Sequence, residues 1–264
     1  MEGSMIRSSL RNVMPVYGTH IAGLENPVTD AMRSSIQLDF VFICTEHMPL
    51  DRGEVSRMCI HYRSQGISPI VRIPYPSPEL AAMYLDGGAE GITAPYVESR
   101  KEVEALVGAV RYRPIKGAFL NDILAGRRNP AHKLQTYLDE FNRNTYLIIG
   151  IESTEAVRSL DDLISVKGVD GVFIGPHDLT CSMEIPEEYD SPEFTDAVSQ
   201  VIRTCRKQGI GAGIHMDLTS ERARQFIKAG MNFMLHSSNI TIMKDALTKD
   251  LKTLRQEYQS FRSS

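Results

Sequence analysis

Several polar side chains stand just after short apolar runs: His20, His47, Arg72, Glu152, Asp178, His215 and His236. His20 to His47, His47 to Arg72 and Glu152 to Asp178 are each separated by about 25 residues, close to the length of one strand-plus-helix repeat. Glu152 and Asp178 therefore fall on neighbouring repeats, which sets their strands about 4.8 Å apart. Two carboxylates that close repel unless something positive lies between them. A divalent cation meets that need. Two protein oxygens leave positions for water and a chelating substrate, which suits magnesium or manganese. A blander use also stays open, with one acid capping a helix and the other in a surface ion pair. Arg72 ends the run Ile70-Val71-Arg72-Ile73-Pro74. A guanidinium there can grip a carboxylate or an enolate through two parallel hydrogen bonds, or simply pair with a structural acid. His47 is a candidate acid/base group because imidazole titrates near neutral pH. A histidine after a strand also serves as a plain hydrogen-bonder. His177, His215 and His236 are lesser candidates. Cys44 lies beside this set, but no local signature of a cysteine nucleophile accompanies it.

The elements that must position these groups alternate. Short runs rich in Val, Ile and Phe cover residues 14–17, 40–44, 69–73, 91–94, 146–151, 171–174, 211–214 and 233–235. They are continuous rather than alternating in polarity, the pattern of strands covered on both faces. Helical stretches lie between them. Pro27, Ser77-Pro78-Glu79, Ser153-Thr154-Glu155 and Ser191-Pro192-Glu193 mark helix starts, and Asp86-Gly87-Gly88 marks a stop. Eight strand-plus-helix units predict a single-domain α/β fold, a (β/α)8 TIM barrel, over residues 5–264. A doubly wound sheet alternates in the same way, but no glycine-rich phosphate loop follows the first strand. Polar residues gathered at strand ends fit the catalytic rim of a barrel. Residues 111–129 read as a long βα loop, a candidate lid. Residues 240–261 read as a terminal helix suited to docking on a second subunit. Residues 1–4 read as an added remnant before a second start at Met5.

Composition narrows the function. The 264 residues carry 29 Lys and Arg against 33 Asp and Glu, a formal charge of −4, which argues against a nucleic-acid partner. No run reaches the roughly 18 apolar residues of a membrane span, so no membrane partner is expected. The four cysteines are far apart and form no C-x-x-C pair, which favours a reducing, cytoplasmic setting.

Certain segments resemble a known family. Phe40-Val41-Phe42-Ile43-Cys44-Thr45-Glu46-His47-Met48-Pro49 is similar to the F-x-x-I-D-x-E-H-x-P segment of the HpcH/HpaI aldolases. Val71-Arg72-Ile73-Pro74 matches V-R-x-P, and residues 85–92 match L-D-x-G-A-x-G-I. Residues 151–156 match I-E-T-x-E-A with Ser153 in place of its threonine, and residues 168–179 match G-V-D-G-V-F-I-G-P-x-D-L almost throughout. The matches run in the family's order over residues 12–250. The resemblance implies a metal-dependent (class II) carbon–carbon lyase. It would cleave a 4-hydroxy-2-oxo acid reversibly to pyruvate and an aldehyde. Magnesium or manganese, with cobalt as a further candidate, would be held by Glu152 and Asp178. Arg72 would bind the pyruvate carboxylate and stabilise the enolate, and His47 would be the acid/base group. Gly175, Pro176, His177 and Asp178 would bind substrate, in part through backbone N–H groups. Asp86 would approach the site of an adjacent subunit and orient its histidine. The family's usual assembly implies a homo-trimer or hexamer.

Four departures cluster near the expected rim. Cys44 replaces the family's usual Asp, and Gly150 stands where glutamine is common. Residues 117–122 lack the usual glycine-rich run, and His236-Ser237-Ser238-Asn239 replaces a turn containing glycine and aspartate. Two competing readings follow. One is a related citrate or acyl-CoA lyase, with Arg111, Arg113, Lys116, Arg127 and Arg128 as its only candidate phosphate groove. The other is a weakened barrel that binds an oxo acid without turnover.

Overall fold

The computed structural model describes residues 1–22, 36–219 and 221–263. Eight parallel strands close into a barrel in chain order. They are β1 (Val16–His20), β2 (Phe40–Cys44), β3 (Ser68–Arg72), β4 (Gly91–Ala94), β5 (Tyr146–Ile151), β6 (Gly171–Ile174), β7 (Gly211–Met216) and β8 (Phe233–Ser238). Strands β2 to β6 are buried along their whole length, because helices cover the outside and packed side chains fill the inside. Phe40, Phe42, Ile70, Tyr146, Ile148, Phe173 and Phe233 form one inner cluster, joined by Ile6 and Leu10 of helix α1 (Gly3–Arg11). Phe40 and Phe233 stack with ring centroids 4.7 Å apart. Each such aromatic, fully buried, contributes about 1.5–3 kcal/mol to folding. A barrel interior filled in this way leaves chemistry to the rim.

The helix starts expected from serine and proline form as capped N-termini. Ser77, Ser153 and Ser191 each accept a hydrogen bond from the backbone N–H three residues on. Asp51 and Glu54 form a reciprocal capping box that pins the far end of the segment after β2. Gly88 takes φ +108° just past Asp86, where a side chain would be strained. The start expected at Pro27 lies outside the described residues.

Two expectations are corrected. The first strand runs over Val16–His20, so His20 belongs to the strand and ends it. Residues 111–129 are neither a loop throughout nor a lid. They include a short helix, Gly117–Leu124, and run from the helix Arg100–Arg111 to the helix His132–Phe141, which leads into β5 from the end of the barrel opposite the rim. Leu120 and Leu124 of this short helix pack over Gly108, a contact that sequence period alone does not reveal. Gly3 and Ser4 lie within α1, and Gly3 is buried. The terminal helix, Asn239–Ser263, forms as expected. No helix among the described residues is long and apolar enough to cross a membrane.

Candidate active site

Register sets the rim. β2 pairs with β3 so that Cys44 lies beside Arg72, and β3 pairs with β4 so that Arg72 lies beside Thr93. Arg72 is buried, and its guanidinium carbon sits 5.8 Å and 5.9 Å from the ring centres of Phe42 and Phe173. Those two faces hold the cation and strip its water. Its polar edge meets three groups. Nε lies 3.1 Å from Glu46 Oε2. Nε and Nη2 donate to Cys44 Sγ at 3.4 Å and 3.1 Å. Nη1 lies 3.9 Å from Glu152 Oε1.

Glu152 follows β5 and is 1% exposed. Its Oε2 accepts the Tyr96 backbone N–H at 2.9 Å, while its Oε1 is buried and makes no hydrogen bond among the described residues. Burial pushes its carboxyl up to about 7, against the pull of Arg72 and with a further push from the nearby negative charge of Asp178. Two glycines make this placement. A Cβ on Gly175 would stand 2.6 Å from Glu152 Oε1, and one on Gly150 would stand 2.9 Å from Pro95 Cα and 3.2 Å from the Tyr96 nitrogen. Gly150 thus lets the segment after β4 fold inward until the Tyr96 N–H reaches Glu152. That is the physical reason a longer side chain is absent there. Tyr96 itself adopts φ +51°.

Asp178 is half-buried in the first turn of the helix Pro176–Ser182, directly after β6. Gly175, Pro176 and His177 lie in the same turn. His177 is exposed, with Nδ1 4.0 Å from Glu187 Oε1. His47 is exposed on the segment after β2. Its backbone N–H donates to Cys44 Sγ at 3.3 Å, and its Nε2 lies 3.7 Å from Glu46 Oε2. Glu46 therefore stands between His47 and Arg72, a role that reading the residues singly missed. The acid–histidine pair directly after a strand was the available signal. His236 Nδ1 accepts the Leu218 N–H at 3.1 Å, a structural contact. Asp86 is not at this rim. It ends the helix Pro78–Asp86 and lies 3.5 Å from Arg113 Nε.

The acids fit a hard cation. Glu152 offers a buried carboxylate oxygen with no hydrogen-bond partner among the described residues, in the field of a second acid. No group of three or more His, Cys, Asp and Glu side chains gathers for a metal among the described residues. A cation here would complete its shell from water and substrate. Four of the five basic residues weighed as a phosphate groove are engaged elsewhere: Arg111 pairs with Asp170, Arg113 with Asp86, Arg127 with Asp122, and Arg128 lies over Phe119.

A barrel whose rim sets a desolvated arginine beside a buried, half-satisfied acid defines a class: an enzyme that handles an anionic substrate and the negative charge its reaction develops. The chain belongs to the HpcH/HpaI aldolase/citrate lyase family, whose model matches residues 22–246. It is accordingly a carbon–carbon lyase of the aldolase type. It is 28% identical over 238 residues to a hydroxypyruvate/pyruvate aldolase of Roseovarius nubinhibens, a match covering 89% of this chain and 91% of that protein. It is 25% identical over 237 residues to a 5-keto-4-deoxy-D-glucarate aldolase of Escherichia coli, with the same coverage. Solved structures share the fold. An HpcH/HpaI aldolase from Desulfitobacterium hafniense superposes with a TM-score of 0.80 at 24% identity, covering 95% of this chain and 96% of that one. The citrate synthase SbnG does so with a TM-score of 0.81 at 24% identity, covering 96% and 98%.

Proposed function

We propose that this protein cleaves a 4-hydroxy-2-oxo acid reversibly into pyruvate and an aldehyde, with magnesium or manganese held by Glu152 and Asp178. When bound, that ion supplies Lewis-acid polarisation of the oxo group. Arg72 binds the oxo-acid end and stabilises the negative charge that builds on the enolate oxygen as the C3–C4 bond breaks. A preorganised donor of this kind is typically worth about 3–4 kcal/mol. His47 takes the proton of the 4-hydroxyl as the aldehyde forms, and Glu46 orients it. The electron pair of the broken bond passes to C3, and protonation there yields pyruvate. Backbone N–H groups around His177 and Asp178 receive the substrate carboxylate, with Gly175 and Pro176 shaping the turn.

The observation that carries this reading is the free Oε1 of Glu152, buried 3.9 Å from an arginine that is itself desolvated. The test is pyruvate release from a panel of 4-hydroxy-2-oxo acids, with added magnesium or manganese and with EDTA. Release that depends on the metal supports it. Pyruvate binding without turnover on any substrate overturns it in favour of a binding protein.

The working unit we propose is a homo-oligomer, a trimer or hexamer. Ile242, Met243, Leu247, Leu251 and Leu254 on the terminal helix are all exposed and suit docking on another copy. Asp86, remote from the rim of its own chain, then serves the site of a neighbour. The four free cysteines, three of them buried, fit a cytoplasmic setting.

A further inference from the structure

We infer that His20 is a specificity-determining residue of this site, whose Nε2 hydrogen-bonds an oxygen on the aldehyde half of the substrate. The inference rests on the aldolase reading above and adds what that reading leaves open, the chemical class of the aldehyde. Arg72, Glu152 and Asp178 come from β3, β5 and β6 and occupy one arc of the barrel mouth. A substrate held there by its oxo-acid end must extend toward the remaining arc, formed by β7, β8 and β1. His20 ends β1 and lies in register with Phe42 of β2. Its ring meets Phe42 edge-on at 6.0 Å, and the same Phe42 ring carries Arg72 at 5.8 Å. His20 is therefore one aromatic ring away from the group that holds the oxo acid.

Two observations point to a ligand. His20 Nε2 is buried and has no hydrogen-bond partner among the described residues. A buried polar nitrogen left unpaired costs free energy, so its retention calls for a partner that arrives with the substrate. The ring is also held in place. His215 of β7 packs against it edge-on at 5.6 Å, and His215 Nε2 is tied to the Ser237 carbonyl oxygen at 2.9 Å. His215 is thus a positioning residue for His20.

The chemistry of the pair selects the partner. Burial, with the neighbouring charges of His215, Arg72 and His47, lowers His20 to about 4, so the imidazole is neutral at ordinary pH. A neutral imidazole offers one hydrogen bond and no compensating charge. It suits a hydroxyl oxygen better than a carboxylate, and an alkyl chain would leave Nε2 unpaired. The aldehyde half is therefore a hydroxyaldehyde.

The test is aldol addition with pyruvate as donor and two aldehydes of equal heavy-atom count, glycolaldehyde and propanal. Wild type should favour glycolaldehyde in kcat/KM. In His20→Phe the preference should fall about tenfold, because only the hydroxyl aldehyde loses its hydrogen bond. His20→Gln, which keeps a hydrogen-bonding end, should restore part of it. His215→Phe should lower the preference less. An unchanged preference in His20→Phe and His20→Gln, or equal losses on both aldehydes, overturns the specificity role while leaving the aldolase reading intact. No addition to either aldehyde by wild type sinks the aldolase reading and this inference with it.

Discussion

Two buried acids of this barrel, one at each end, have opposite surroundings. Asp170 precedes β6 at the closed end and is fully satisfied. Arg11 lies 2.9 Å away, Arg111 pairs with the other oxygen, and the Leu147 N–H donates at 2.9 Å. Glu152 follows β5 at the open end and has one hydrogen bond for two oxygens. Both are essentially without solvent contact. Burial is thus common to the structural acid and the proposed catalytic one. What separates them is whether the protein itself completes the hydrogen bonding.

Mutating the two acids tests that contrast most severely. Asp170→Asn removes the partner of two arginines and should cost about 3–5 kcal/mol of stability, read by denaturant unfolding, while leaving activity per folded molecule largely intact. Glu152→Gln should do the reverse. Its raised carboxyl contributes stability only while protonated, a contribution lost as pH rises through about 7. Metal-free Glu152→Gln should therefore match or exceed wild type in thermal midpoint at pH 8, with pyruvate release down about 100-fold or more. Equal damage to stability in both variants would erase the distinction between the two ends.

The next effect is a pH dependence. His20 falls from 6.5 to about 4 on folding. Between those values the unfolded chain binds the extra proton and the folded chain does not. The stability tied to neutral His20 is therefore whole above pH 6.5 and is lost as pH falls to 4 and below, by about 3 kcal/mol at most. His20→Gln should flatten the wild-type loss over that range in unfolding experiments. An identical slope in both proteins would place the titration elsewhere.

Smaller effects sharpen the picture of the rim. Asp86→Asn should leave the thermal midpoint nearly unchanged, since its ion pair with Arg113 is largely exposed on the Asp86 side. Activity should nonetheless fall about tenfold if Asp86 orients the histidine of a neighbouring copy. Mixed oligomers of Asp86→Asn and Glu152→Gln chains should then recover activity that neither has alone, and no recovery would confine Asp86 to its own chain. Cys44→Asp should raise turnover by roughly two- to fivefold, because a carboxylate would replace weak sulfur contacts to Arg72 with charge-assisted hydrogen bonds. Unchanged turnover would show that the sulfur already orients Arg72 well enough.

Strand runs, capped helix starts and the recurrence of polar residues at strand ends were legible in the order of residues, because each rests on neighbours close in the chain. The barrel, its rim and the family followed from them. Arg72, Glu152 and Asp178 could be named because each ends or follows an apolar run, Glu152 and Asp178 one repeat apart. Tyr96 could not, since its contribution is a backbone N–H delivered by an inward fold of the chain that Gly150 permits. Glu46 and His20 were visible as residue types, but their significance lies in neighbours that only closure of the barrel brings together. Residues 111–129 were not legible because a helix of only eight residues, Gly117–Leu124, is too short to display a period.

The chain sequence determined which side chains stand at strand ends, since alternation of apolar runs with helical stretches is a local property. Which of those side chains meet, and which polar atoms are left unpaired, was decided by the closed barrel. Register between distant strands and the exclusion of water exist only once all eight staves have come together.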